Sequence, residues 1–248
     1  MTRDSVVRIG ALLPDLLGVY SDRGNVTVLA QRLRWRGIPV EVRSVTADAA
    51  PPVDCDLYVI GGGEDAAQVA AADWLRAHPR LRAALAGPAT TFAVCAGVQL
   101  LGQWTQDAAG HRVPGAEILE LTTSPGRRRA VGEVVSVCQL PGVGTLTGFE
   151  NHRGVTSLAP GVRPLARVVR GAGNGTRDHG DGVLAGTVIG TYLHGPVLAR
   201  NPALADEVLR MVIGRELPPL ELPDQETVRR ARLSRRRLRT GSFRSGAA

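Results

Sequence analysis

A chain of 248 residues with 44% hydrophobic content is long enough for one large or two small domains, and apolar enough for a sizeable core. Its three cysteines, Cys55, Cys95 and Cys138, are odd in number and irregularly spaced, which argues against a disulfide framework and for a reducing cytosol. The net charge of +7 is concentrated at the C-terminus, where Val228 to Ala248 carries eight arginines and no acid, so the preceding chain is near neutral and offers no basic face for nucleic acid.

The first apolar run, Val6 to Leu13, predicts a strand; it is short and interrupted by Arg8, unlike a secretory signal. A loop, LLGVYSDRGN, leads to a helix opening near Asn25 and stopped by Gly37, followed by a strand over Ile38 to Val42. Asp56 to Gly61 is a continuous apolar strand running into three glycines. Glu64 to Ala77 is an Ala-rich helix ended by Pro79, and Leu81 to Ala86 continues helical. The uncharged stretch between Arg82 and Asp107 contains Pro88, Thr90, Thr91, Gln99 and Gln103, so it reads as loop, strand and helix, and no transmembrane segment is expected. Alternating strands and helices imply an α/β fold, a doubly wound, mostly parallel sheet with flanking helices and its chemistry at the strand carboxyl ends. In the second half, Glu117 to Leu121, Gly132 to Val137, Gly144 to Glu150, Ala166 to Arg170 and Thr187 to Leu193 are short β-patterned runs. They are expected as hairpins and edge strands added to the same sheet, with a helix over Pro202 to Ile213 after them. GAGNGTRDHGDG is expected as a polar loop without an apolar anchor. Residues 1–227 are read as one domain and 228–248 as an Arg-rich tail, helical then disordered.

Thr90 to Gly102, TTFAVCAGVQLLG, carries the chemistry. A buried strand reaches Cys95, small residues follow, and Val98, Leu100 and Leu101 recur at helical spacing. This is the pattern of a nucleophile elbow with Cys in place of Ser. The following helix N-terminus favours the thiolate; the alternative is a small buried core cysteine. A nucleophilic Cys needs a base and oxyanion donors. His78, His111 and His179 fall in surface or loop contexts, whereas His152 and His194 both close strands. His194 ends an apolar strand at the carboxyl edge where Cys95 sits, and is the expected base. The oxyanion donors are the backbone N–H of Ala96 and that of Gly62 or Gly63.

The segments LLPDLLGVYSDRGN, DLYVIGGGED, FAVCAGVQLLG, GFENHRG and GTYLHGP, in this order, resemble the class I glutamine amidotransferase superfamily. More narrowly, the chain is similar to the GatD-type glutaminase subunits of lipid II isoglutaminyl synthases, within the group that includes cobyric acid synthase amidotransferase domains. The resemblance implies that Cys95 is the nucleophile, that His194 is general base and acid, and that Arg129 in RRRAVGEV binds the carboxylate of L-glutamine, with Gly62, Gly63, Ala96 and Gln99 beside it. Arg127 and Arg128 compete with Arg129 for that role. Triad amidotransferases usually carry a Glu two residues after the His. Here that position is Pro196, and Asp22 in YSDRGN is the chosen third member; its alternative role is helix N-capping. Glu150, Asn151 and His152 form a pocket wall.

No Lys occurs anywhere, so a Walker-type phosphate loop is excluded in this chain. The resemblance therefore implies a separate MurT-like, Mur-ligase-type synthetase subunit that binds ATP and Mg and acts on lipid II. Localisation is expected to be cytoplasmic, at the inner face of the membrane. The alternatives are a Cys hydrolase of DJ-1/PfpI-like type and, from the Arg tail, a nucleic-acid binder, against which the single tail aromatic, Phe243, weighs. The tail is expected to dock on the partner or on anionic lipid.

Overall fold

The computed structural model describes residues 6–18, 22–107 and 109–234. In chain order the elements are β1 (Val7–Leu12), α1 (Arg23–Arg34), β2 (Val40–Val45), β3 (Leu57–Ile60), α2 (Asp65–Ala77), α3 (Pro79–Leu85), β4 (Thr90–Val94), α4 (Ala96–Leu101), β5 (Trp104–Gln106), β6 (Arg112–Pro114), β7 (Leu121–Cys138), β8 (Thr145–Leu158), β9 (Ala166–Arg170), β10 (Gly180–Asp181), β11 (Val183–Ala185), β12 (Val188–Thr191), α5 (Val197–Arg200), α6 (Pro202–Ile213) and α7 (Pro223–Ser234). Contacts divide the chain between Leu217 and Pro218, so α7 stands in a unit of its own and the expected boundary at residue 227 falls inside that helix. Of the tail 228–248, expected to be helical then disordered, residues 235–248 lie outside the described residues.

The first sheet has the order β11-β12-β4-β3-β1-β2, parallel throughout except for the β11 edge. Strand periodicity sends alternate side chains to opposite faces. Ile9, Leu57, Val59, Phe92 and Val94 pack with Leu29 and Leu33 of α1 and with Leu204, Val208 and Leu209 of α6. Leu12, Tyr58, Ile60 and Ala93 face Ala71 and Leu75 of α2, Leu81 and Leu85 of α3, and Val98 and Leu101 of α4. Both faces are covered, so the strands read as unbroken apolar runs.

The second half departs from expectation. The run Thr187 to Leu193 does join the first sheet, as β12 beside β4 with β11 at its edge, but the other runs build a second sheet in the order β10-β9-β7-β5-β6, with β8 paired to β7. That sheet has no core of its own: Val134, Leu146, Leu165 and Val168 join the α1 and α6 side of the first sheet's core. β7 includes Pro125 and Gly126, residues that ordinarily interrupt a strand. The β7–β8 register shifts between Pro125 and Ala130, and such an irregularity is where a strand tolerates residues that cannot support the ladder. The expected strand over Glu117 to Leu121 is absent, because Ala116, Ile118 and Leu119 donate their N–H groups to Leu100 and Leu101 and so satisfy carbonyls at the end of α4. GAGNGTRDHGDG is a polar loop, as expected, and polar contacts hold it. Asn174, 1% exposed, donates to the Gly182 carbonyl and accepts from the Gly182 N–H, while Ala172 and Gly173 donate to Glu150.

Candidate active site

Cys95 lies between β4 and α4 with φ 51°, a left-handed conformation that a non-glycine residue adopts at a cost. Two features hold it there. Its N–H donates to the Thr191 carbonyl at 2.8 Å, and Gly97 lets α4 approach β3 so closely that a Cβ at that position would lie 2.7 Å from the Ile60 carbonyl oxygen. The turn is therefore the strained elbow the sequence pattern predicts.

His194 follows the end of β12. Its backbone exchanges hydrogen bonds with Phe149 of β8, N–H to oxygen at 2.7 Å and oxygen from N–H at 3.2 Å. The side chain is fully buried, and Nδ1 lies 3.0 Å and 3.1 Å from the two carboxylate oxygens of Asp22. Asp22 begins α1 without capping it: no side-chain cap bond is made, and the carboxylate turns inward to His194 and to the Gly62 N–H at 2.9 Å. A Cβ at Gly62 would lie 2.8 Å from His194 Cε1, 3.2 Å from Asp22 Oδ2 and 3.4 Å from Cys95 Cβ, so one glycine touches all three side chains. Pro196 packs on α1, where a Cβ at Gly24 would come within 2.4 Å of its ring.

Burial on its own drives the His194 pKa down. The hydrogen bonds to Asp22 and Cys95 and the negative charge of both outweigh it, raising the pKa to about 10. Asp22 and Cys95 together favour the charged form of the imidazole.

Cys95 opens onto a cavity of about 230 Å³ whose walls include Gly63, Ala96, Gln99, Thr123, Arg129 and His152. Asp22 and His194 stand behind the sulfur, outside this lining. Of the three competing arginines only Arg129 lines the cavity, its Nε donating to Asn151 Oδ1 at 2.6 Å. Gln99 is committed to the wall: its oxygen accepts from Gln68 at 2.8 Å and its nitrogen donates to the Tyr192 hydroxyl at 3.0 Å. Of the two glycines expected as oxyanion donors, Gly62 has its N–H on Asp22, whereas Gly63 lines the cavity beside Ala96.

Glu150 and His152 form a second buried pair, with Glu150 Oε2 at 3.7 Å from His152 Nε2. Burial opposes the Glu150 charge, yet His152 and the amides of Gly173 and Ala172 hold its pKa below the usual range. Gln68, Thr123 and Thr156 carry no sequence signal. They are brought to the site by hydrogen bonds around Tyr192, which touches Thr156 and, through Gln99, Gln68. Among the described residues no group of three or more His, Cys, Asp and Glu side chains is placed to hold a metal ion.

A Cys–His–Asp constellation on the carboxyl edge of a doubly wound sheet, opening on a polar cavity with an arginine at its wall, defines a cysteine-dependent amide-cleaving enzyme. Residues 8–202 match the CobB/CobQ-like glutamine amidotransferase domain, and the chain belongs to that family. It is 34% identical to the lipid II isoglutaminyl synthase (glutamine-hydrolyzing) subunit GatD of Staphylococcus aureus (strain N315), over 84% of this chain and 85% of that one. The GatD subunit of Streptococcus pneumoniae (strain ATCC BAA-255 / R6) is 31% identical over 90% of this chain and 86% of its own. A crystal structure of a glutamine amidotransferase superposes with a TM-score of 0.56 at 20% identity, covering 82% of this chain and 98% of that chain, and shares the fold.

Proposed function

We propose that this chain is the glutaminase subunit of a lipid II isoglutaminyl synthase. The observation that carries the reading is the buried Asp22–His194 pair set against Cys95 at the floor of the cavity. L-Glutamine binds with its carboxylate on Arg129, a fork that holds a carboxylate by parallel hydrogen bonds. The Cys95 sulfur attacks the side-chain amide carbon, and the oxyanion is received by the N–H groups of Ala96 and Gly63. The His194 imidazolium gives its proton to the departing nitrogen, so the C–N bond breaks as ammonia leaves and a glutamyl thioester remains. Neutral His194 then takes a proton from water, the hydroxide adds to the thioester carbon, and the C–S bond breaks to release glutamate and restore Cys95.

Ammonia at neutral pH is mostly protonated and no longer nucleophilic, so it must be handed to an activated acyl group before it equilibrates with water. The GatD likeness supports a MurT-like, Mur-ligase-type synthetase as that acceptor subunit, with ATP and Mg on the partner and the D-glutamate α-carboxyl of lipid II as the group amidated to D-isoglutamine for peptidoglycan synthesis. The work is done on the cytoplasmic side, at the inner face of the membrane. No described helix is long and apolar enough to cross a membrane.

The test is to incubate the chain with glutamine, with and without such a synthetase, ATP and lipid II, and to measure glutamate, ammonia and amidated lipid II. Glutamate release that depends on Cys95, and lipid II amidation that depends on both subunits, are expected. A Cys95→Ser protein that still releases glutamate overturns the nucleophile, and amidation that proceeds without this chain on glutamine overturns the assignment.

A further inference from the structure

Thr191, the last residue of β12, is a junction between the two strands that carry the site. Its carbonyl accepts the Cys95 N–H at 2.8 Å. Its hydroxyl accepts the Leu193 N–H at 3.1 Å and donates to Asp181 Oδ2 at 2.7 Å. The other Asp181 oxygen accepts the Tyr192 N–H at 3.2 Å. The two N–H groups immediately before His194, which lose their ladder partners where the strand ends, are thereby held by side chains. Phe149 holds the His194 backbone itself from β8.

We infer that Asp181, through Thr191, is a positioning residue that sets the placement of His194 against Cys95. This rests on the glutaminase reading above. Asp181 is fully buried and does not line the cavity, so it has no direct access to substrate. A carboxylate at such a place is costly, and burial raises its pKa to about 6. A neutral Ser or Asn satisfies a strand end more cheaply; a charged acceptor gives shorter and stiffer bonds. The charged and titratable groups that face Asp181 are His152 and Glu150 on β8 and Cys138 on β7. The loop that delivers Asp181 is braced to match: Asn174 clamps Gly182, and Gly182 itself, at φ 64°, passes so close to β12 that a Cβ would collide with the Gly190 carbonyl.

The experiment compares wild type with Asp181→Asn, Thr191→Val and Thr191→Ser, each in complex with the synthetase partner. Two readouts are taken: kcat and KM for glutamine, and the rate at which iodoacetamide alkylates Cys95, followed by mass spectrometry. Misplacing a reacting pair by a fraction of an ångström to an ångström costs about 10- to 100-fold in rate. Asp181→Asn and Thr191→Val are expected to lose kcat in that range with KM within about threefold, and to slow alkylation. Thr191→Ser, which keeps the hydroxyl, recovers most of what Thr191→Val loses. Unchanged kcat in folded Asp181→Asn and Thr191→Val, or Ser behaving like Val, overturns the inference. If wild type releases no glutamate, the glutaminase reading fails, and the alkylation rates still decide: slower in Val than in Ser supports the positioning role, equal rates overturn it.

Discussion

Replacing Asp22 by Asn removes charge while keeping shape, at a carboxylate whose two oxygens both lie against His194 Nδ1. Raising a histidine from its ordinary 6.5 to about 10 is a net preference for the protonated ring of about 5 kcal/mol, at about 1.36 kcal/mol per pH unit, left after Asp22 and Cys95 have offset the opposing effect of burial. Because burial alone acts in the opposite direction, losing the Asp22 share leaves the imidazolium markedly weaker. The sign follows: wild type keeps its general acid charged until pH approaches about 10, and the variant loses it at lower pH. The alkaline limb of the kcat profile therefore moves toward neutrality in Asp22→Asn. At pH 8, kcat falls by about 10²- to 10⁴-fold, the range general acid–base catalysis supplies. KM changes little, since Asp22 lies outside the cavity lining. The assay is coupled detection of glutamate from the assembled complex between pH 6 and 10.5. An alkaline limb that stays in place, or a defect confined to KM, refutes the argument that this carboxylate tunes the histidine.

Gly62→Ala places a Cβ at 2.8 Å from His194 Cε1, inside van der Waals contact, and is expected to lower kcat by about 10- to 100-fold while the protein remains folded by circular dichroism; normal kcat refutes the packing reading. Arg129→Ala is expected to raise KM for glutamine by about 10- to 100-fold, the value of a charged hydrogen bond, whereas Arg127→Ala and Arg128→Ala leave it alone; equal effects from all three refute the choice. Asp181, lifted from 3.8 to about 6, contributes its full stability below its unfolded value and loses it as pH rises through about 6, by about 3 kcal/mol. Urea unfolding at pH 4 and pH 8 is therefore expected to show wild type losing ground relative to Asp181→Asn at the higher pH, and parallel behaviour refutes ionisation in that window.

Much of the first half is legible without coordinates, because each parallel strand is buried on both faces and each helix is bounded by Gly or Pro. The elbow is legible for the same reason: β-branched strand, small residues, then helical spacing allow few other backbones. Asp22 was reachable by asking where the acid had gone once Pro196 filled its usual place. The second sheet was not legible. Its strands pair at long range, and Pro125 and Gly126 look like a break unless the β8 partner is known. The Gly-rich loop is polar as its composition implies, but what holds it, backbone amides on Glu150 and an Asn174 clamp, are contacts that hydropathy does not register. Gly62 illustrates the limit of motif reasoning. The residue type was informative, but whether its N–H faces substrate or Asp22 depends on a side chain forty positions earlier.

The acid and the histidine are separated by 172 positions along the chain. During synthesis the ribosome therefore releases the thiol elbow long before the imidazole emerges, and the N-terminal carboxylate waits without its counterpart throughout. A polypeptide ending before β12 lacks His194 and so cannot form the buried pair with Asp22.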